Sequence, residues 1–574
     1  MCGIIAGISL EPVLKTTLTQ LQRLEYRGYD SAGFAVIHDG KIDYRKTVGE
    51  TKKLKLPNHL NESTIAIAHT RWATHGVPSE INAHPHVLDD KYAIIHNGII
   101  ENHYDLKNKF KIETASQTDS EIIVHLYKHF LTVTTDAKSA WESTILELEG
   151  SWATVLLDIT QPERLMIACN KSPMVLGKND KSLFVASDLY GLENIADDIL
   201  YVPNQTTTCI SLSSDLTASI DASWEPTPKN LIQEKIIRTD TTMLHEIMEQ
   251  PSVLKACETQ NISDIPKPDH LVIAACGSSY HVALIAMQWI ESIAQVPCRA
   301  YLASELRYGN IAWPKNTAFM VLSQSGETAD TLECVRHWKN HAAFSISICN
   351  VEKSALMRLC HYNILTPAGI ETAVAATKSV TSAIYMASKL VMHWHNQQTN
   401  TLINQKDLQH QTQAILSLDT VVNFIAEKVS NHKHLFMLGK GLFHPVMLEA
   451  ALKIKELCYV HTEAFAAGEM KHGPLALIEP GTMVIMIAAK NYHYKKSISN
   501  AEEMLSRGAQ VILLTDEDTN QKNGLTIITL PFEINENSSI SLSILFQQVS
   551  LNLSQRLGHN PDRPRNLAKC VTVE

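Results

Sequence analysis

The sequence predicts an α+β sandwich over its first 225 residues, followed by two tandem α/β domains with parallel, doubly wound sheets. The first part contains short alternating or β-branched runs, such as Ile65-Ala66-Ile67-Ala68, separated by Gly, Asn, Asp and Pro. The remainder repeats one order of strands and helices, which is typical of βαβ units. Between them, residues 223–240 begin with a Pro-rich stretch and turn polar, as expected of a linker.

Two helix-like stretches interrupt the first domain, around residues 11–26 and 119–131. The second opens on Thr118-Asp119-Ser120-Glu121, whose acceptors suit an N-terminal turn. The predicted organisation is a first domain, a linker, two α/β domains and a C-terminal tail, with the limits 1–225, 226–245, 246–398, 405–560 and 561–574.

The second half contains one unit twice. An apolar strand runs into a small-residue turn at 271–279, and the same pattern starts again 164 residues later at 435–441. Each start is followed by a strand and helix, a third strand and a closing apolar helix, predicted at 317–338, 343–349 and 372–395, and at 481–508, 510–515 and 540–557. The match is one of pattern, so two unrelated α/β domains are the alternative.

Composition excludes several classes of function. The chain has 574 residues, a formal net charge of −10 and 11 cysteines without paired C-x-x-C spacing, and its pI is near 6.2. Clustered basic residues for nucleic acid or an anionic membrane are not indicated. The cysteine pattern predicts reduced thiols in a cytoplasmic protein without a zinc site. No signal peptide or membrane span is expected.

The N-terminus predicts a nucleophile. Removal of Met1 would leave Cys2 with its thiol and α-amine on one residue, and a free α-amine has a pKa of about 7.7–8.0. That amine could take the thiol proton, as in other N-terminal nucleophiles. The alternative is a buried structural cysteine, because free cysteine behaves mostly as a small hydrophobe.

The turn at 322–328 is a candidate phosphate cradle. It follows a strand and precedes a helix, and it offers hydroxyls and a glycine that admits close backbone approach. The Gly-Lys-Ser/Thr of a Walker loop is missing, so nucleotide triphosphate binding is not implied. A plain helix cap is the alternative.

Several stretches together resemble one enzyme family over essentially the whole chain. They are 2–4, 25–33, 69–76 and 96–102 in the first half, and 323–328, 469–474 and 565–569 in the second. Their order and combination resemble the isomerising glutamine–fructose-6-phosphate aminotransferases. The resemblance implies an N-terminal-nucleophile (Ntn) glutaminase domain followed by two sugar-isomerase (SIS) domains.

The resemblance assigns roles around Cys2. Asn97 and Gly98 would form the oxyanion hole, Arg71 would grip the glutamine carboxylate bidentately, and Asp119 would hold its ammonium group. Trp72 matches the family's gate residue, with Thr74 and His75 beside it at the glutamine site. Each has a plainer alternative: an Asn-Gly turn, a surface arginine, a helix cap at Asp119 and a core tryptophan.

In the second half, Lys453 and Glu456 lie three apart, so a helix would put them on one face. A solvated ion pair is the ordinary interpretation, whereas the resemblance makes Glu456 the carboxylate that moves a proton between sugar C1 and C2. It likewise makes His472 the ring-opening acid/base and Lys569 the Schiff-base lysine, where a solvated tail is the alternative. The sugar phosphate would be bound by Ser278, Ser279, Ser323, Gln324, Ser325, Thr328, Val374, Ala375, Lys453 and Ala568.

The resemblance therefore predicts an enzyme without cofactor or metal that converts fructose 6-phosphate and glutamine to glucosamine 6-phosphate and glutamate. That is the first step of the hexosamine (UDP-GlcNAc) pathway, carried out by a cytoplasmic homodimer without nucleic-acid or membrane partners. The alternatives are another N-terminal-cysteine amidotransferase and a non-catalytic sugar-phosphate sensor. The chain departs from the family pattern at Ser278 for threonine, Ala376 for serine, Cys570 for serine and His245 for lysine.

Overall fold

The computed structural model describes residues 2–213, 220–228, 240–262, 264–395, 402–490, 493–517 and 523–571. It divides into two compact units, Met1–Lys235 together with Ala568–Glu574, and Ile236–Leu567. Met1, most of the predicted linker (229–239), residues 399–401 of the predicted break between the two α/β domains, and the last three residues lie outside the described residues. The domain limits themselves stay predictions.

The first unit is a helix–sheet–sheet–helix sandwich. Its strands are β1 Gly3–Ser9, β2 Ser31–His38, β3 Lys41–Val48, β4 Ile65–Arg71, β5 His86–Leu88, β6 Tyr92–Ile100, β7 Gly150–Asp158, β8 Leu165–Asn170, β9 Val175–Lys178, β10 Ser182–Ala186, β11 Asp198–Tyr201, β12 Thr206–Ile210 and β13 Glu225–Pro226. One antiparallel sheet has the order β13-β11-β9-β10-β1-β4-β2-β3 and the other has the order β12-β8-β7-β6-β5.

Successive side chains of β1 point to opposite faces of its sheet and so pack into two different layers of the sandwich. Ile4, Ala6 and Ile8 belong to the core between the two sheets, while Ile5 on the opposite face packs with Leu14 and Leu21 of the helix Leu14–Arg23. The outer face of the second sheet is covered by helices in the same way. These are His103–Phe110, Glu121–Leu131 and Ala137–Leu146. The predicted α+β sandwich is confirmed.

The second unit contains two five-stranded parallel sheets with one strand order. Their strands are β14 His270–Ala275, β15 Cys298–Leu302, β16 Thr317–Ser323, β17 Ser345–Cys349, β18 Tyr362–Leu365, β19 His434–Gly439, β20 His461–Ala466, β21 Met483–Ala488, β22 Gln510–Thr515 and β23 Leu525–Thr529. The first sheet has the order β15-β14-β16-β17-β18 and the second has the order β20-β19-β21-β22-β23. The repeated order confirms two doubly wound domains of one topology.

A shared apolar core joins the two sheets, because one face of each sheet contributes to the same cluster of buried residues. The opposite faces have separate cores. The described helices are Thr242–Met248, Gln250–Thr259, Gly277–Trp289, Ala303–Leu306, Ala329–Trp338, Ala355–Leu359, Lys378–His395, Gln405–Leu416, Asp419–Ser430, Phe443–Cys458, Tyr494–Leu505 and Ser538–Arg556.

One helix begins later than its pattern predicts. The apolar run from 372 becomes helical only at Lys378, because the Glu371 carboxylate accepts the backbone N–H groups of Thr377 at 2.9 Å and Ser379 at 3.0 Å. The preceding residues, including Val374 and Ala375, therefore form an ordered loop at the start of the helix.

Candidate active sites

Cys2 lies at the entrance of β1, a buried strand hydrogen-bonded to β4 and β10. Its Sγ accepts the backbone N–H of Trp72 at 3.2 Å. Burial raises the pKa of the Cys2 thiol, and the Trp72 N–H and the charges of Arg71 and Arg27 only partly oppose that effect. The thiol is therefore protonated at neutral pH and needs a base before it can attack.

Arg27 holds the Cys2 backbone in place. Its Nε donates to the Cys2 carbonyl oxygen at 3.0 Å, and its Nη1 donates to Asp188 at 2.8 Å. Asp188 also accepts the Tyr26 hydroxyl at 2.8 Å. Sequence reasoning assigned no role to this buried arginine, although it stands in the motif 25–33 that contributes to the family resemblance.

Asn97 and Gly98 lie on β6 beside Cys2. The Asn97 amide nitrogen donates to the Cys2 carbonyl oxygen at 2.9 Å. Gly98 has φ +130°, and a Cβ there would stand 2.0 Å from the carbonyl oxygen of Ser151. Only glycine fits this position, so the strand brings a backbone amide next to the Asn97 amide.

Arg71, His75 and Asp119 come together near Cys2. Arg71 Nη2 donates to the carbonyl oxygens of His75 and Gly76, while its buried Nη1 has no hydrogen-bond partner among the described residues. Asp119 accepts the Ile100 N–H at 2.8 Å and lies 3.8 Å from His75 Nδ1. A buried guanidinium with an open donor beside a carboxylate can hold the two charged groups of an α-amino acid.

The helix after Asp119 begins at Glu121, and Ser120 at its N-cap makes no capping hydrogen bond through its side chain. The Asp119 carboxylate instead binds the backbone of β6, which removes the helix-cap alternative. The Trp72 ring packs edge to face on Tyr29, with ring centroids 5.9 Å apart. Thr74 is exposed.

The second unit has a cavity beyond the carboxyl ends of β14, β16 and β17. This is where ligands bind in open parallel sheets. The structure brings together there the predicted Ser278, Ser279, Ser323 and Gln324. The cavity is lined by Ser278, Ser279, Val282, Leu322, Ser323, Gln324, Ile348, Cys349, Asn350, Thr366, Ala376, Ser379, Val380 and Ala383.

The turn after β16 is organised by its own hydroxyls. Ser323 Oγ accepts the Gly326 N–H at 3.0 Å and lies 3.0 Å from Thr328 Oγ1, and Ser325 Oγ accepts the Glu327 N–H at 3.1 Å. Gly326 has φ +68°, and a Cβ there would stand 2.1 Å from Ser354 Oγ. The helix Ala329–Trp338 follows directly, so the turn presents hydroxyls and an N-terminus to an anion.

Lys453 and Glu456 are not a solvated pair. Lys453 Nζ donates to Glu456 at 2.6 Å, and the lysine side chain is 1% exposed. Burial would lower the pKa of Lys453, but the carboxylates of Glu456 and Glu449 raise it well above its usual value. Lys453 therefore stays charged inside the protein.

Sequence reasoning missed Glu449. Its buried carboxylate lies 3.5 Å from Lys453 and accepts hydrogen bonds from Ser278 at 2.9 Å and His281 at 2.7 Å. Burial would raise the pKa of Glu449, but Lys453, His281 and Ser278 hold it below its usual value. Its spacing of four residues from Lys453 on a predicted helix was a usable signal.

His472 is exposed at the end of the short helix Glu469–His472. Ala568 and Lys569 are half-buried and group with the first unit. The segment before them is anchored, because Asp562 accepts the N–H groups of Thr242 and Met243 at 2.8 Å each.

Among the described residues, no helix is long and apolar enough to span a membrane. No group of three or more His, Cys, Asp or Glu side chains in the same residues is arranged to hold a metal ion.

Both halves of the chain are similar to known proteins. A SIS-domain model matches residues 264–392 and 428–553, and a glutamine amidotransferase domain model matches 69–194. Proteins of Pseudomonas syringae and Idiomarina loihiensis named glutamine–fructose-6-phosphate aminotransferase (isomerising) are 36% and 37% identical, over 100% of each chain. The C-terminal domain of glucosamine-fructose-6-phosphate aminotransferase from Francisella tularensis matches with a TM-score of 0.53 and 30% identity, covering 57% of this chain and 100% of that one.

Proposed function

The chain belongs to the family of isomerising glutamine–fructose-6-phosphate aminotransferases, and from this premise we propose how its residues divide the work. It is a glutamine-dependent amidotransferase that converts D-fructose 6-phosphate and L-glutamine to D-glucosamine 6-phosphate and L-glutamate, the first step of the hexosamine pathway. The observation that best supports the division is the buried centre in which Asn97 and Arg27 hold Cys2.

Cys2 is the proposed nucleophile after Met1 has been removed. Its α-amine, with a pKa of about 7.7–8.0, takes the proton of the buried thiol. The thiolate attacks the side-chain amide carbon of glutamine, and the developing oxyanion is bound by the second hydrogen of the Asn97 amide and by the Gly98 N–H. The amide nitrogen then takes a proton and leaves as ammonia. Water hydrolyses the remaining thioester to glutamate.

Glutamine is held by its charged end. The open Nη1 of Arg71 is the proposed partner of the α-carboxylate, and Asp119 is the proposed partner of the α-ammonium. Thr74 and His75 belong to the same segment as Arg71. Trp72 covers the site and keeps ammonia out of bulk water.

The sugar phosphate is proposed to bind in the cavity of the second unit. Its phosphate is held by Ser323, Gln324, Ser325 and Thr328, because hydroxyls and a helix N-terminus favour an anion. The sugar contacts the remaining predicted residues, Ser278, Ser279, Val374, Ala375 and Ala568.

The chemistry at the sugar follows the family assignments. His472 opens the ring, and the Lys569 amine forms an imine at C2 with loss of water. Ammonia displaces the lysine and leaves an imine at C2. Glu456 then moves a proton from C1 to C2 while the O1 hydroxyl proton passes to the imine nitrogen, which leaves an aldehyde at C1 and an amino group at C2. The buried, charged Lys453 beside Glu456 assists at the sugar hydroxyls.

His472 is exposed in the single chain, which supports a proposed homodimer in which His472 completes the sugar site of the neighbouring subunit. The assignment of the protein to the cytoplasm is likewise a proposal, and it rests on the cysteine pattern.

The test uses purified protein with glutamine and fructose 6-phosphate, and products identified by mass spectrometry. Cys2→Ala, or a leader left in front of Cys2, should abolish glutamate formation, because both a thiolate and an adjacent free amine are needed. Glucosamine 6-phosphate formation from supplied ammonium should survive in both proteins.

The matched control carries a removable leader whose cleavage leaves Cys2 first, and it should regain glutamate formation. Hydrolysis of glutamine by the protein with the uncleaved leader, at the rate of the cleaved one, would show that Cys2 does not act as an N-terminal nucleophile.

A further inference from the structure

Four buried histidines, to which the mechanism above gives no role, form a cluster in the first unit that reaches Asn97. His69 stacks on His84 with ring centroids 4.1 Å apart and planes at 14°, and His86 packs edge to face on His84 at 4.6 Å. His96 precedes Asn97 on β6 and lies 6.5 Å from His84 between ring centroids. One of the four, His69, reaches the Asn97 side chain itself.

The hydrogen-bond contacts identify the nitrogen and the oxygen of the Asn97 side-chain amide. The Asn97 side-chain atom 2.9 Å from the Cys2 carbonyl oxygen must be nitrogen, because a carbonyl oxygen only accepts hydrogen bonds. The other terminal atom of Asn97 is therefore its oxygen, and it lies 3.1 Å from His69 Nε2. The same Nε2 lies 3.0 Å from the carbonyl oxygen of His96. With two acceptors in front of it, Nε2 must carry the hydrogen.

The ring that provides this donor is neutral and held in place. Burial lowers the pKa of His69 to about 3, so one tautomer, with hydrogen on Nε2, persists at working pH. The stacked His84 fixes the plane of the ring, and His84 Nδ1 in turn accepts the His96 N–H at 3.1 Å. The direction of the His69 N–H is thereby set by β6 as well as by the histidine stack.

We infer that His69 is a positioning residue that holds the Asn97 amide with its nitrogen toward Cys2 and the developing oxyanion. The inference deepens the proposed function, since it rests on Asn97 acting in the oxyanion hole. Without the donor at His69, the amide can rotate by half a turn and present its oxygen to the oxyanion, which repels it. Removing an oxyanion donor outright costs roughly 100- to 1,000-fold in kcat. We expect a smaller loss in kcat, about 10- to 100-fold, when the Asn97 amide is still present but no longer held in place.

The test compares substitutions that separate shape from hydrogen bonding. His69→Phe keeps a flat ring against His84 but loses the donor, whereas His69→Gln can place an amide nitrogen where Nε2 stands. Glutamate formation should fall by about 10- to 100-fold in kcat for Phe and by less than about threefold for Gln. The KM for glutamine should stay within about twofold in both, because Arg71 and Asp119 are untouched.

The rate of Cys2 alkylation excludes general damage to the site. Alkylation of Cys2 by iodoacetamide forms no oxyanion, so its rate should be the same in the wild type and in His69→Phe. If the Phe protein does not fold, His69→Asn replaces it, because its shorter side chain places an amide near Nδ1 and leaves Nε2 without a substitute.

A double-mutant cycle then tests whether His69 acts through Asn97. In an Asn97→Ala background, His69→Phe should cost nothing more, because the amide that it orients is gone. Additive losses, or full activity of His69→Phe where Asn97→Ala is slow, would overturn the inference and leave the proposed function standing. Full activity of Asn97→Ala would overturn the oxyanion role of Asn97 and the inference with it.

Discussion

The buried ion cluster of the second unit gives the sharpest test of the structure. Lys453 is 1% exposed and faces two carboxylates, Glu456 at 2.6 Å and Glu449 at 3.5 Å. Two positions further along the same helix, Lys455 is exposed. Lys453→Met and Lys455→Met therefore make the same chemical change, one inside the protein and one at its surface.

The expected loss of stability in Lys453→Met follows from the distances between the charges. At an effective dielectric constant of about 20, opposite unit charges 3.5 Å apart attract by roughly 5 kcal/mol. Loss of one partner of a buried ion pair costs about 3–5 kcal/mol, because the other charge stays unpaired in the interior. Glu449 keeps its hydrogen bonds from Ser278 and His281, so the lower end, about 3 kcal/mol, is expected for Lys453→Met. Lys455→Met should stay within about 0.5 kcal/mol.

Hydrogen exchange on the full-length protein measures the free energy of local unfolding, segment by segment, and so suits a chain of several domains. Peptides from the helix Phe443–Cys458 should exchange about a hundredfold faster in Lys453→Met and at the wild-type rate in Lys455→Met. Adding Glu449→Gln to Lys453→Met should restore part of the protection, since it removes one stranded charge. Equal exchange in the two methionine variants would refute the account of a buried, energetically important cluster.

Two further predictions concern the pH dependence of stability and the proposed dimer. Because the pKa of Glu449 is held below its usual value, its stabilisation is present above its unfolded pKa of about 4.3 and is lost as pH falls through the folded value. Calorimetry should show that the thermal stability of the wild type falls in this acid range, and that the stability of Glu449→Gln depends less steeply on pH. Equal pH dependence in the two proteins would contradict this role of Glu449. For the proposed dimer, mixing inactive His472→Ala and Lys569→Ala chains should restore up to about a quarter of wild-type activity, because random pairing makes half of the dimers hybrids with one intact site of two. No recovery in demonstrably mixed dimers would place both residues in a site built from one chain.

The fold was predictable because periodicity reports local structure. The repeated strand order, the sandwich and most element positions follow from apolar patterns that each segment carries by itself. The start of the helix at Lys378 was mispredicted because a glutamate side chain ordered the preceding turn. Preferences for N-cap residues do not anticipate a carboxylate that binds backbone amides from several residues away.

The site was predictable only in part, because its groups meet across the chain. Cys2, Asn97 and Arg71 were identified from short motifs, but the partners that hold them were not. Arg27 reaches Cys2 over 25 residues, and His69 reaches Asn97 over 28. Sequence spacing indicates neighbours along one helix or strand and contains no comparable signal for a contact between different strands.

Two of the departures from the family pattern, Ser278 and Ala376, line the cavity of the second unit. Ser278 lines the cavity and donates its hydroxyl to Glu449 at 2.9 Å, a bond that a threonine hydroxyl would also make. Ala376 lines the same cavity and, unlike serine, offers no hydroxyl to a sugar. Ser278 therefore keeps the link from the cavity through Glu449 to Lys453, whereas Ala376 changes the hydrogen-bonding surface of the cavity in which we propose that the sugar binds. If sugar preference differs from that of the relatives, Ala376→Ser should move it toward theirs.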